Sequence, residues 1–154
     1  MALMPEIATT ARASTATPSG LESALDRVGD RWSLLVVDAL LDGPRRFGEL
    51  RESLPGIAPN IMTDRLRRLE RERILVSQPY STRPPRMEYA LTGDGRDLAS
   101  ALRLLSDWGS RRTGGEPLRH DRCGTPIEAR WFCPTCGVPV GDAEIGGTDE
   151  TRLV

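Results

Sequence analysis

The chain has 154 residues, 38% of them apolar and 28% charged, with a formal net charge of −1. That length supports one modest core and a small appendage, and no run of about 18 apolar residues is present to span a membrane. The near-neutral balance excludes a globally basic nucleic-acid coat, and an odd cysteine count of three points to a reducing compartment rather than a disulfide scaffold.

The first twenty residues, "MALMPEIATTARASTATPSG", are rich in Ala, Thr, Ser and Pro and show no sustained period. They are expected to form a disordered arm over 1–20. No basic start precedes a long apolar stretch, so no export signal is expected and the expected location is cytoplasmic. Leu21, Leu25, Val28 and Trp32 then fall at helical spacing. "WSLLVVDALLDG" continues the apolar pattern to Gly43-Pro44, a stop signal, with Asp30 able to cap its start. The phase break at "VGD" predicts two helices, or one kinked at Gly29.

"RRFGELRESLPG" predicts a short helix with Phe47, Leu50 and Leu54 inward, stopped by Pro55-Gly56. In "IAPNIMTDRLRRLERERIL", Ala58 and Pro59 open a helix, since proline is tolerated in the first turn. Met62, Leu66 and Leu69 form its apolar stripe, and Asn60, Asp64, Arg67 and Arg71 lie opposite, flanked by Thr63 and Arg68. "ILVSQPY" and "RMEYALT" predict two strands joined by "STRPP", a hairpin with a basic tip, with Pro79 at an edge or near a strand end. Thr92 or Asp94 then caps a helix whose stripe is Leu98, Leu102, Leu105 and Trp108. A linker at 113–118, a cysteine-bearing segment at 119–142 and a flexible acidic tail at 143–154 complete the chain.

Charge is unevenly spread. Gly43 to Arg86 holds ten arginines against five acids, a window of +5, whereas Glu116 to the end is −3. All 21 basic residues are arginine, which genomic base composition can explain, but composition does not explain the clustering. Two short helices joined by a Pro-Gly turn, the second with a polar outer face, fit a helix-turn-helix. The major groove admits one such helix. Asn60, Thr63, Asp64 and Arg67 are placed to reach bases, with Pro59 at the helix start beside them. Arg45, Arg46, Arg68 and Arg71 are placed to reach phosphates, and the tip presents Thr82, Arg83 and Arg86. Taken alone, an amphipathic helix of this kind is more often a solvated surface helix than a recognition helix; the basic-tipped hairpin that follows in the right order favours the DNA reading.

In this order, "GDRW", "GPRRFGEL", "PGIAPNIMTDRLRRLE", "PPRMEYALT" and "TGDGRDL" resemble the HxlR-type winged-helix transcriptional regulators over about residues 24–108. The resemblance implies an α+β winged helix-turn-helix, mainly α with a β-hairpin wing, spanning 21–112. It implies a homodimer on a palindromic operator in double-stranded DNA, with Asn60 to Arg68 in the major groove and Ser81 to Arg86 alongside. Its dimer interface would use Leu21, Leu25, Val28, Leu98, Leu102, Leu105 and Trp108. Many members carry a cysteine just before the first helix, used by some as a redox switch. Here Ser19 stands about there, which argues against thiol sensing by that route. Winged-helix dimers can also carry a small-molecule effector, but no residue cluster names one.

The only histidine and the three cysteines form two pairs of equal spacing, His120-x-x-Cys123 and Cys133-x-x-Cys136, nine residues apart. Zinc takes four tetrahedral N or S ligands, often as two close pairs from separate turns. Gly124 and Gly137 follow the second ligand of each pair, and Ile127, Trp131 and Phe132 can make a short strand between them. A small zinc-ribbon-like module holding structural Zn2+ is therefore the first reading. A regulatory metal or redox response comes second and catalytic zinc last, because four protein ligands leave no position for water. A thioredoxin-like pair lacks its βαβ context, and a disulfide leaves one cysteine over. No enzyme is expected, for want of a nucleophile constellation or phosphate loop. The alternative to a DNA-binding regulator is a protein-interaction adaptor, suggested by the acidic tail and the net charge of −1. A weak salt dependence of DNA binding would distinguish it.

Overall fold

The computed structural model describes residues 18–82 and 85–146. Most of the expected N-terminal arm (1–17), the wing-tip residues 83 and 84, and the end of the tail (147–154) lie outside the described residues. The Ser19 hydroxyl accepts the Glu22 amide at 3.2 Å and the Glu22 carboxylate accepts the Ser19 amide at 2.6 Å, a reciprocal capping box. Helix α1 (Gly20–Val28) therefore starts one residue before the expected boundary. The "VGD" break resolves into two helices. A Cβ on Gly29 would lie 2.4 Å from the Leu25 carbonyl oxygen, so the tight exit from α1 needs glycine. Asp30 then caps α2 (Arg31–Ala39), accepting the Ser33 amide at 3.1 Å.

A two-residue strand, β1 (Arg45–Arg46), precedes α3 (Phe47–Ser53), where the sequence pattern predicted helix alone. Two residues carry too little periodicity to be read as a strand; pairing with a distant partner defines them. After the turn through Pro55-Gly56 comes α4 (Pro59–Arg71), with proline in the first turn. Strands β2 (Leu75–Thr82) and β3 (Pro85–Leu91) form the expected hairpin. The antiparallel sheet has the order β1-β3-β2, with Arg45 opposite Tyr89 and Leu75 opposite Leu91. Edge strand β2 tolerates Pro79, and its register slips between Pro79 and Ser81.

Thr92 caps α5 (Gly93–Thr113): its hydroxyl accepts the Gly95 amide at 3.1 Å and donates to the Arg73 carbonyl at 2.6 Å. Thr92 thereby also fastens Arg73, whose φ of 58° is left-handed. Gly95 passes so close to β2 that a Cβ there would lie 2.1 Å from the Ile74 carbonyl oxygen. Gly95→Ala is expected to cost about 1–3 kcal/mol by overpacking against backbone, read as a lower urea midpoint. An unchanged midpoint would show that the strand gives way freely.

The chain divides into two units, up to Arg96 and from Asp97 onward. In the first, Ser33, Val36, Val37, Leu50, Met62, Leu66 and Leu69 are fully buried. They draw on α2, α3 and α4, and the Met62, Leu66, Leu69 stripe is the one the spacing predicted. Burial of each such side chain contributes about 1.5–3 kcal/mol, which fixes the rotation of α4 about its axis. In the second unit, the rest of α5 is followed by an Arg119–Pro126 bridge and by the antiparallel hairpin of β4 (Trp131–Cys133) and β5 (Val138–Val140). A short 3-10 turn at Asp142–Glu144 straddles the expected boundary between the cysteine-bearing segment and the tail. Among the described residues, none from Arg111 to Gly146 is buried. No described helix is long and apolar enough to cross a membrane.

Candidate nucleic-acid interface

With the apolar stripe of α4 turned into the core, Asn60, Asp64, Arg67 and Arg71 stand exposed on the opposite side. Their spacing of i, i+4, i+7, i+11 puts them on one face. Thr63 is half-buried beside them, its hydroxyl donating to the Pro59 carbonyl at 2.9 Å. Ala58, at the N-cap, offers no side-chain oxygen, so the first amides of α4 are not closed by a cap. The positive end of the helix dipole is thus left facing outward.

The other two arginines of α4 go elsewhere. Arg65 Nε donates to Asp30 Oδ1 at 2.7 Å. Arg68 lies 3.8 Å from Asp30 Oδ2 and also donates to the Asp26 carbonyl. Asp30 in turn accepts the Ser33 amide at 3.1 Å and its hydroxyl at 2.5 Å. One carboxylate therefore caps α2 and ties α4 to it. Burial raises the pKa of Asp30, but the Ser33 hydroxyl and amide and the Arg65 guanidinium outweigh it, and the carboxyl is held below its ordinary value. Arg68, expected to reach phosphate, is thus engaged by α2 in the DNA-free chain. The scaffold occupies its guanidinium, because position 68 is rotated toward α2 relative to the 60-64-67-71 face. Arg65, which spacing did not single out as functional, proves to be the main partner; Asp30 within "GDRW" was read as a cap alone.

The remaining basic candidates are placed by the sheet. Arg45 is paired with Asp42 at 3.5 Å. Arg46 lies over the Tyr80 ring, 4.1 Å from its centroid, which holds the guanidinium of β1 against β2. Arg86 on β3 is exposed. Thr82 is the last residue of β2, while Arg83 lies outside the described residues. Of the interface candidates, Leu21 and Leu25 on α1 and Leu105 and Trp108 on α5 are each more than half exposed. Leu98 is half-buried. Val28 and Leu102 are only 6% and 8% exposed in the single chain. Leu104, which the helical stripe omitted, is 42% exposed.

At the C-terminal segment, His120 Nδ1 and Cys123 Sγ lie 3.3 Å apart, and all three cysteines are free thiols. Among the described residues, no three His, Cys, Asp or Glu side chains converge on one point where they could hold an ion. The expected donors thus stand as two pairs, not as one assembled four-ligand cage.

A tri-helical unit in which α3 and α4 form the helix-turn-helix, followed by a β-hairpin wing, defines a winged helix-turn-helix protein. Residues 27–116 match the HxlR-like helix-turn-helix family, and the chain belongs to that family. An HTH-type transcriptional regulator of Mycobacterium tuberculosis is 42% identical over 119 residues, 74% of this chain and 75% of the relative. The regulator YodB of Bacillus subtilis is 34% identical over 88 residues, 57% of this chain and 79% of that protein. Among solved structures, the reduced redox regulator HypR aligns with a TM-score of 0.59 at 34% identity, covering 62% of this chain and 94% of that one. The regulator ytcD aligns with a TM-score of 0.60 at 31% identity, over 63% and 99%. The chain is an HxlR-type transcriptional regulator. The adaptor reading finds no support in these relatives.

Proposed function

We propose that the protein binds a palindromic operator as a homodimer, in the compartment that holds the DNA, the cytoplasm, with α4 in the major groove. The observation that carries this reading is the division of labour on α4: Asn60, Asp64, Arg67 and Arg71 are exposed on one face, while Arg65 and Arg68 are held by Asp30. Arg67 suits guanine through its two-pronged fork, Asn60 suits adenine, and Asp64 accepts from cytosine. Arg71, Arg46 and Arg86 supply phosphate contacts, with the uncapped start of α4 as a further phosphate donor. The exposed apolar residues of α1 (Leu21, Leu25) and of α5 (Leu104, Leu105, Trp108) supply the dimer surface. Two-fold symmetry then spaces the half-sites by one helical turn or a multiple of it. Residues 119–142 are a zinc-ribbon-like appendage that takes no part in reading bases.

Selection of bound fragments from a genomic library, followed by titration at several salt concentrations, tests the reading. Enrichment of a palindromic site with a steep salt dependence is expected; binding to no fragment above background would overturn it. Arg46→Ala is expected to lower the salt slope of operator binding by about 1 and to weaken all sequences alike. A change in base preference would instead place Arg46 on a base edge.

A further inference from the structure

The two Cys/His pairs share one backbone design. In the first, the His120 amide donates to the Thr125 carbonyl at 2.9 Å, pairing the first donor residue with the one two places after the second. In the second, Cys133 pairs with Val138, the same offset. The Gly124 amide donates to the His120 carbonyl at 2.7 Å, and the Gly137 amide donates to the Cys133 carbonyl at 2.9 Å. Both glycines are left-handed, with φ of 68° and 69°. Two separate stretches of chain thus make the same hairpin knuckle, each presenting two soft donors from one tight turn.

A further distance points to an ion. Donors held at about 2.0–2.3 Å from a tetrahedral zinc lie about 3.5 Å from each other, and His120 Nδ1 and Cys123 Sγ are 3.3 Å apart. The segment also has no core to hold it. Leu118, Ile127, Trp131, Phe132 and Val138 are 36–62% exposed, yet both hairpins are formed. A module of some thirty residues without buried apolar surface requires a disulfide, a metal or a partner, and all three cysteines are free.

We propose that the His120–Cys123 and Cys133–Cys136 knuckles close on a single zinc ion, bound through His120 Nδ1 and three thiolates. The pairs are preformed in the backbone, and the ion supplies the convergence that the side chains alone do not reach. This rests on the reading of 119–142 as an appendage. It is independent of base recognition by α4, so metal binding and operator binding are measured separately.

The full-length protein, purified under reductant with zinc present, is expected to retain one zinc per chain by mass spectrometry of the metal. Cobalt in its place should show the strong visible absorption of a tetrahedral thiolate site and saturate at one equivalent. Cys123→Ser, Cys133→Ser and Cys136→Ser should each lower cobalt affinity at least tenfold. His120→Cys should keep one equivalent with an all-sulfur spectrum, a variant that separates loss of a ligand from loss of folding. Failure of the wild type to retain zinc, or full retention by Cys123→Ser, overturns the proposal. Half an equivalent per chain also overturns it, by placing the ion between two chains. Operator binding that fails while zinc is retained would count against the DNA reading alone.

Discussion

Asp30→Ala is expected to lower stability by about 2–4 kcal/mol, since it removes a helix cap and leaves charge-assisted hydrogen bonds unmade. Asp30 accepts from the Ser33 amide, the Ser33 hydroxyl and Arg65 Nε, and stands 3.8 Å from Arg68. The loss would appear as a lower urea midpoint, with operator affinity falling as α4 loosens from α2. Asp30→Asn should recover part of the stability by keeping the cap, but not the ion pairs. If Asp30→Ala were as stable as the wild type, the carboxylate would be a surface charge without a structural role.

The same residue predicts an acid limit. Its folded-state pKa is lower than its ordinary value, so the stabilisation is complete above the usual carboxylate range. It is lost as pH falls through the lower, folded-state pKa. The difference in stability between wild type and Asp30→Ala should therefore be constant near neutral pH and shrink toward zero in acid. A difference that persisted at the acid end would assign the effect to packing rather than to charge.

Arg67→Ala is expected to weaken specific operator binding by about 1–3 kcal/mol, roughly fivefold to 150-fold, and to relax the choice of base at one position in each half-site. Arg67 is exposed on the same face as Asn60 and Asp64, opposite the buried stripe. Arg68→Ala makes the contrast. Its guanidinium is engaged with Asp30 and the Asp26 carbonyl, so it should lower stability with base preference unchanged. Binding selections on the two variants distinguish them; equal weakening of Arg67→Ala on every sequence would assign Arg67 to phosphate.

These two arginines also mark how far the sequence reaches. Their neighbourhood reads as a helix from Pro59 and the 62-66-69 apolar stripe, and that stripe settles which residues face outward. The periodicity of Met62, Leu66 and Leu69, the Asp30 cap, the Thr92 cap and the hairpin order are local properties, and each is legible from residues within a few positions of one another. The turn glycines belong with them, since a left-handed φ at Gly124 and Gly137 follows from the need to reverse the chain within one knuckle.

Other features depend on residues far apart in the chain. Arg68 sits at the border of the outward face, and only the approach of Asp30, 38 positions earlier, ties it to α2. The strand at Arg45–Arg46 exists because β3 offers it a partner, and Arg46 is held by Tyr80, from the strand on the other side of β3. Val28 and Leu102 continue helical stripes that read as interface, yet both are already buried within the single chain. Amino-acid pattern by itself determined the helices, their caps and the outward face of α4, because those depend on steric and hydrogen-bonding preferences within one turn. Tertiary structure alone decided which arginines are tied within the chain, because that depends on which carboxylates and rings the packed elements bring within reach.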